Sequence, residues 1–155
     1  MTNDSPVLDQ TDKALLNRIQ SDFPITSRPF QTIADELGLD ETDVIQRLGK
    51  LKDEGIIRRI GGNFSPEKLG FVSTLCAASV PDERVDDFAR VVNRYAGVTH
   101  NYLRENKFNI WFTFISPSME EIVDNLKAIS RETGISDILN LPATHVFKIK
   151  AHFDL

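Results

Sequence analysis

A histidine, a tyrosine and an arginine recur at alternate positions in Val98-Thr99-His100-Asn101-Tyr102-Leu103-Arg104, and Asn109-Ile110-Trp111-Phe112 follows closely. In an extended strand alternate side chains leave from one face, so His100, Tyr102 and Arg104 project together, with Val98 in phase with them. Residues 107–115 alternate likewise: Lys107, Asn109, Trp111 and Thr113 share one face, and Phe108, Ile110, Phe112 and Phe114 share the other. The phenylalanine-rich row is the expected core. The opposite face then gathers an imidazole, a phenol, a guanidinium, an ammonium, an amide and an indole on two neighbouring strands. Such a set suits an aromatic, carboxylate-bearing ligand, with cations for the carboxylates and flat side chains for the ring.

Two groups of elements must position these residues. From Asp9 to Phe23, Ala14, Leu15, Leu16, Ile19 and Phe23 recur at helical spacing behind Asp9 or Thr11 as cap. A short second helix starts at Pro29 and closes at Gly38; a third, capped by Asp40, carries Val44, Leu48 and Leu51 inward until Gly55. This is a helix-turn-helix, and Ile56 to Ile60, Gly61-Gly62-Asn63 and Phe64 read as a small β wing. The rhythm then changes. A strand over Phe71–Val80, a helix over Asp82–Tyr95, two strands, a helix from Ser118 through Glu132 and a last strand over Thr144–Phe153 give the order β-α-β-β-α-β. That order predicts an α+β chain: residues 1–65 as a winged helix-turn-helix, residues 66–155 as a ferredoxin-like domain with both helices on one sheet face. The other face needs a cover, and a second such sheet is the simplest one.

Composition bounds the rest. The chain has 155 residues, a net charge of −5 and one cysteine, Cys76, so an internal disulfide is excluded and the thiol is expected buried. Residues 1–65 carry 8 basic and 11 acidic side chains, and residues 66–155 carry 10 and 12, so neither part is the polycation that phosphate-driven DNA binding favours. With no membrane-length apolar run, and no basic flank at Met1-Thr2-Asn3-Asp4-Ser5, a cytoplasmic location is expected.

The organisation resembles the Lrp/AsnC family of dimeric regulators. Within it, Arg58-Arg59-Ile60-Gly61-Gly62, Leu69-Gly70-Phe71, Gly97-Val98-Thr99-His100-Asn101-Tyr102-Leu103-Arg104 and Asn109-Ile110-Trp111-Phe112-Thr113 resemble the siroheme decarboxylase branch, enzymes of alternative haem and haem d1 biosynthesis. The resemblance implies a heterodimer of two paralogous chains that binds siroheme and removes carbon dioxide from its C12 and C18 acetates, giving 12,18-didecarboxysiroheme. It implies no cofactor beyond the iron that siroheme itself carries, with end-product haem open as a further ligand. On this reading His100 and Arg104 are catalytic, His100 as proton donor or as axial ligand to the substrate iron. Arg104 and Lys107 pair with carboxylates, Tyr102 and Trp111 line the ring, and Asn101 or Asn109 orients it. One departure stands out: the family often carries a second histidine in the loop after the arginine, where this chain has Asn106 and Lys107. Where that histidine does the chemistry, this chain depends on its partner.

Two other classes compete. A DNA-binding regulator needs basic or amide side chains at the start of its third helix, but that turn reads Asp40-Glu41-Thr42-Asp43, so DNA binding is not expected. A non-catalytic tetrapyrrole sensor would use the same pocket as the enzyme. Arg58 and Arg59 fit a solvated wing as well as an engaged one. His145 and His152, seven apart on the expected last strand, would face opposite sides, and His145 ranks below His100 as a pocket residue.

Overall fold

The computed structural model describes residues 8–62, 64–148, 152, 153 and 155. It divides into two compact units, Met1–Gly62 with Lys148–Leu155, and Asn63–Phe147, so the last residues, expected in the second domain, group with the first.

In the first unit, α1 (Gln10–Ile19), α2 (Pro29–Leu37) and α3 (Glu41–Asp53) enclose Leu15, Ile33, Val44, Leu48 and Leu51. Asp9 is the α1 cap: its carboxylate accepts the Asp12 N–H at 2.7 Å, and the Asp12 carboxylate accepts the Asp9 N–H at 3.3 Å. Gly38 ends α2 at φ 67°, a left-handed conformation that glycine adopts without penalty. Asp40 stands at the α3 cap position, but its side chain makes no capping hydrogen bond. The expected wing forms no strand among the described residues, and Asn63 lies outside them. Instead the N–H groups of Ile56 and Ile57 both donate to the Leu51 carbonyl at 3.0 Å, so the chain after Gly55 folds back onto its own helix end. Near the C-terminus, Gln20 grips Phe153 at both backbone groups: its Nε2 donates to the carbonyl at 2.8 Å and its Oε1 accepts the N–H at 2.9 Å.

The second unit has the expected element order: β1 (Val72–Ala78), α4 (Val85–Val92), β2 (Val98–Leu103), β3 (Ile110–Ser116), α5 (Met119–Thr133) and β4 (Ile138–Leu141). The strands form one antiparallel sheet in the order β2-β3-β1-β4. Phe112, Phe114 and Cys76 from the sheet pack with Phe88, Val92, Ile122, Leu126 and Ile129 from α4 and α5, as expected of the phenylalanine row. Burial pushes the Cys76 thiol up to about 12. The last strand is displaced from expectation. It is Ile138–Leu141; residues 144–148 are irregular, and 149–151 lie outside the described residues. Asn140 anchors it on the helix side, accepting from Thr74 Oγ1 at 2.6 Å, and Pro142 follows the strand at once. His145 and His152 therefore share no strand: His145 packs its ring 4.6 Å from Phe147, and His152 lies near Ser21 in the first unit.

A bulge interrupts β2. Val98 pairs with Phe114, but His100 pairs with Thr113, leaving Thr99 as the extra residue. Val98 therefore joins the helix-side core rather than the face of His100. Gly97 fixes the entry to this strand. A Cβ there would lie 2.1 Å from the Ile115 carbonyl oxygen, and the Gly97 carbonyl accepts the Ile115 N–H at 2.8 Å.

Candidate functional site

Residues opposite one another on antiparallel strands point to the same side, so the register writes out the sheet face that α4 and α5 leave open. One row runs His100, Thr113, Leu75, Leu141; the next runs Tyr102, Trp111, Ala77, Leu139. Four strands at about 4.8 Å spacing make this a platform about 14 Å across. Its β2 side is aromatic and cationic and its β4 side aliphatic, with Tyr102 49%, Leu75 42% and Leu141 40% exposed. A flat ligand with an ionised periphery matches both halves.

Along β2 the functional groups stack in a column. The His100 and Tyr102 rings lie 6.0 Å apart at 21°, and the Arg104 guanidinium carbon is 6.0 Å from the Tyr102 centroid. No carboxylate of the described residues pairs with Arg104. Instead, its backbone N–H closes the hairpin on the Asn109 carbonyl at 2.7 Å. The Trp111 indole is anchored by its Nε1–H, which donates to the Phe108 carbonyl at 2.7 Å. His100 Nδ1 lies 3.0 Å from Thr99 Oγ1, and Nε2 has no partner among the described residues.

The structure thus brings together His100, Tyr102, Arg104 and Trp111 from the expected set, and it removes two others. Asn109 is buried, and its amide is spent at both ends on Val80, accepting the N–H at 2.9 Å and donating to the carbonyl at 2.7 Å. It extends the β1–β3 ladder by one side chain, a structural use for a residue expected to contact the ligand. Asn101 pairs with Phe112, so it faces the helices, where Nδ2 donates to Asn93 Oδ1 at 3.0 Å. Lys107 lies in the hairpin loop, because β3 begins only at Ile110 and no pleat governs its direction. Its ammonium makes an exposed pair with Asp137 at 3.6 Å, the kind of contact that adds little stability. Thr113 stands on the face as expected, and Leu75, Leu139 and Leu141 join it without having been anticipated. Their signal was the register, which no single strand carries.

The helix-turn-helix presents a different electrostatic picture. Arg47 on α3 is held by Asp9 at 2.7 Å, Asp12 at 2.9 Å and Asp43 at 3.1 Å, which raises its proton affinity further. Arg18 pairs with Glu36, and Arg28 with Glu41. Arg58 and Arg59 line an apolar cleft of about 520 Å³ with Leu16, Ile19, Phe23, Ile60 and Phe153.

Comparison with known proteins follows the same division. Residues 12–58 match the siroheme decarboxylase NirDL-like HTH domain, and residues 68–148 match the AsnC-like ligand binding domain. The siroheme decarboxylase alpha subunit of Oleidesulfovibrio alaskensis is 51% identical over 96% of this chain and 90% of its own. The crystal structure of the siroheme decarboxylase NirDL in co-complex with an iron-uroporphyrin III analogue superimposes with a TM-score of 0.66 at 30% identity, over 92% of this chain and 48% of that one. The leucine response regulatory protein of Mycobacterium tuberculosis gives a TM-score of 0.78 at 19% identity, over 94% of this chain and 99% of its own, a likeness of fold. With 51% identity to such a subunit along nearly the whole chain, and with a helix-turn-helix that matches the same enzymes, this chain is a member of the siroheme decarboxylase family.

Proposed function

We propose that the chain is a subunit of a siroheme decarboxylase, working in the cytoplasm with a paralogous subunit, and that its open sheet face holds the tetrapyrrole. The 51% identity to an alpha subunit along nearly the whole chain carries this reading. The site supplies the roles. Tyr102 and Trp111 floor the macrocycle, the aliphatic rows continue the platform, and Arg104, with no carboxylate of the described residues paired to it, takes an acetate or propionate. Lys107 joins it on leaving Asp137, which costs little at an exposed pair.

The reaction at each of the C12 and C18 acetates replaces CH2–COO⁻ by CH3, with one proton consumed and one carbon dioxide released. Protonation of the conjugated ring at a carbon adjacent to the one bearing the acetate leaves the acetate-bearing carbon electron-poor and makes the macrocycle an electron sink. The carbon–carbon bond then breaks into the ring, and reprotonation at the exocyclic carbon restores conjugation while the ring proton is lost. His100, whose Nε2 has no partner among the described residues, is the residue we assign to proton transfer or to ligation of the substrate iron. Arg104 binds the ionised ground state as well, so its benefit lies in positioning. The only metal required is the substrate's own iron.

The acidic first turn of α3 and the triple hold on Arg47 support a helix-turn-helix kept as scaffold and not used on DNA. To test the enzyme, the purified subunit and its paralogue are incubated with siroheme under anoxic conditions, and the pigment is analysed by mass spectrometry. Loss of two carboxyl groups is expected. Pigment that binds and emerges unchanged establishes a sensor instead.

A further inference from the structure

The bulge in β2 has a chemical use. Neighbouring residues on a regular strand point to opposite faces, so a side-chain contact between residues 99 and 100 is out of reach of an unbroken pleat. The irregularity between Val98 and His100 removes Thr99 from cross-strand pairing, and its Oγ1 comes to 3.0 Å from His100 Nδ1. We propose that Thr99 is the positioning residue of His100, holding Nδ1 so that Nε2 is offered to the ligand in one orientation and one tautomer.

Three observations support the assignment. The ring is restrained from its other side by Tyr102, stacked at 6.0 Å and 21°, so the hydroxyl fixes rotation in a plane already set. The bulge is itself held: a side chain at Gly97 would meet the Ile115 backbone at 2.1 Å, so β2 is locked against β3 just before Thr99. A hydroxyl is also an acceptor, and so serves whichever role His100 plays. As proton donor His100 is an imidazolium, whose Nδ1–H the hydroxyl accepts while Nε2–H is offered to the ligand. Accepting from Nδ1–H of the neutral ring leaves the Nε2 lone pair free for iron, the arrangement by which outer-shell partners orient ligating histidines.

The catalytic half of this inference rests on the decarboxylase reading; the structural half does not, and the experiment separates them. Wild type, Thr99→Val and Thr99→Ser are labelled at the imidazole nitrogens, the His100 signals are assigned by their loss in His100→Gln, and the same proteins are assayed with the paralogue and siroheme. One dominant tautomer is expected for wild type and a mixture for Thr99→Val. In turnover, kcat falls about 3- to 10-fold in Thr99→Val, the loss of one hydrogen bond, with KM changed by no more than about 2-fold. Thr99→Ser, which keeps the hydroxyl, restores both readouts. Identical nitrogen shifts in wild type and Thr99→Val overturn the proposal, as does equal impairment of the two variants. Wild-type protein that releases no carbon dioxide sinks the decarboxylase reading, while a nitrogen response to Thr99→Val still upholds the Thr99–His100 link.

Discussion

The arginines of the helix-turn-helix and the arginine of the sheet face carry the same charge into opposite circumstances. Arg18, Arg28 and Arg47 are each held by carboxylates, Arg47 by three. Arg104 has no carboxylate of the described residues and lies instead beside an aromatic ring. A guanidinium matched by acids within its own unit has little left for phosphate or any other anion. One set beside the Tyr102 ring, with no carboxylate of the described residues paired to it, keeps its capacity for a carboxylate ligand. Charge content alone would not separate the two units, since both are net acidic. Pairing separates individual arginines, not whole units: Arg90 and Arg94 in the sheet unit are held by Asp87 and Glu132, whereas Arg104 has no carboxylate partner among the described residues.

The contrast is broken or upheld most forcefully at the column itself. His100→Ala should lower turnover on the order of 10²- to 10⁴-fold, with Arg104→Ala also strongly impaired, while circular dichroism and the thermal midpoint hold. A matching fall in thermal midpoint would make both residues structural. Next comes the backbone beneath them: Gly97→Ala forces a methyl against the Ile115 carbonyl and should cost about 1–3 kcal/mol in denaturant unfolding. Unchanged stability there would mean that β2 can slide and that the bulge is not held. In the other unit, Arg47→Ala should lower the thermal midpoint modestly and leave turnover of the folded protein intact, and the wild type should not retard its own promoter DNA in a mobility shift at physiological salt. Salt-sensitive retardation would restore a DNA-binding role to the unit.

The smallest effect is electrostatic. The Asp12 backbone N–H and then Arg47 lower the Asp9 carboxyl, and Arg18 lowers that of Glu36, from ordinary values of 3.8 and 4.5. Because these folded-state values are depressed, the stabilisation is complete above the ordinary values and is lost as pH falls through the lowered ones. Thermal midpoints measured from about pH 6 down to about pH 3 should fall less steeply in Arg18→Gln than in wild type, and added salt should shrink the difference. Parallel curves would show that the pairs contribute nothing.

Much of this molecule is legible along the chain because its signals are local. The α1 cap at Asp9, the end of α2 at Gly38 and the alternation of Phe112 and Phe114 depend on residues within a turn or two of one another. Among the described residues the expected wing and last strand do not form, because β structure needs a distant partner. The backbone after Gly55 found its hydrogen bonds on Leu51, and β1 took Ile138–Leu141 as its neighbour. The bulge left one trace in the sequence: Val98 and Leu103 are both apolar but out of phase, a conflict that an extra residue resolves. Asn109 had no such trace. Its polar side chain reads as a ligand contact until Val80 is seen to occupy both its ends.

The amino-acid sequence by itself determined two units, one helical and one mixed, the apolar faces of their elements, and the clustering of His100, Tyr102, Arg104 and Trp111 on one hairpin. Tertiary structure alone decided which groups are free. That outcome depends on cross-strand register and on hydrogen bonds and ion pairs between residues far apart in the chain, and these form only when the backbone has closed around them.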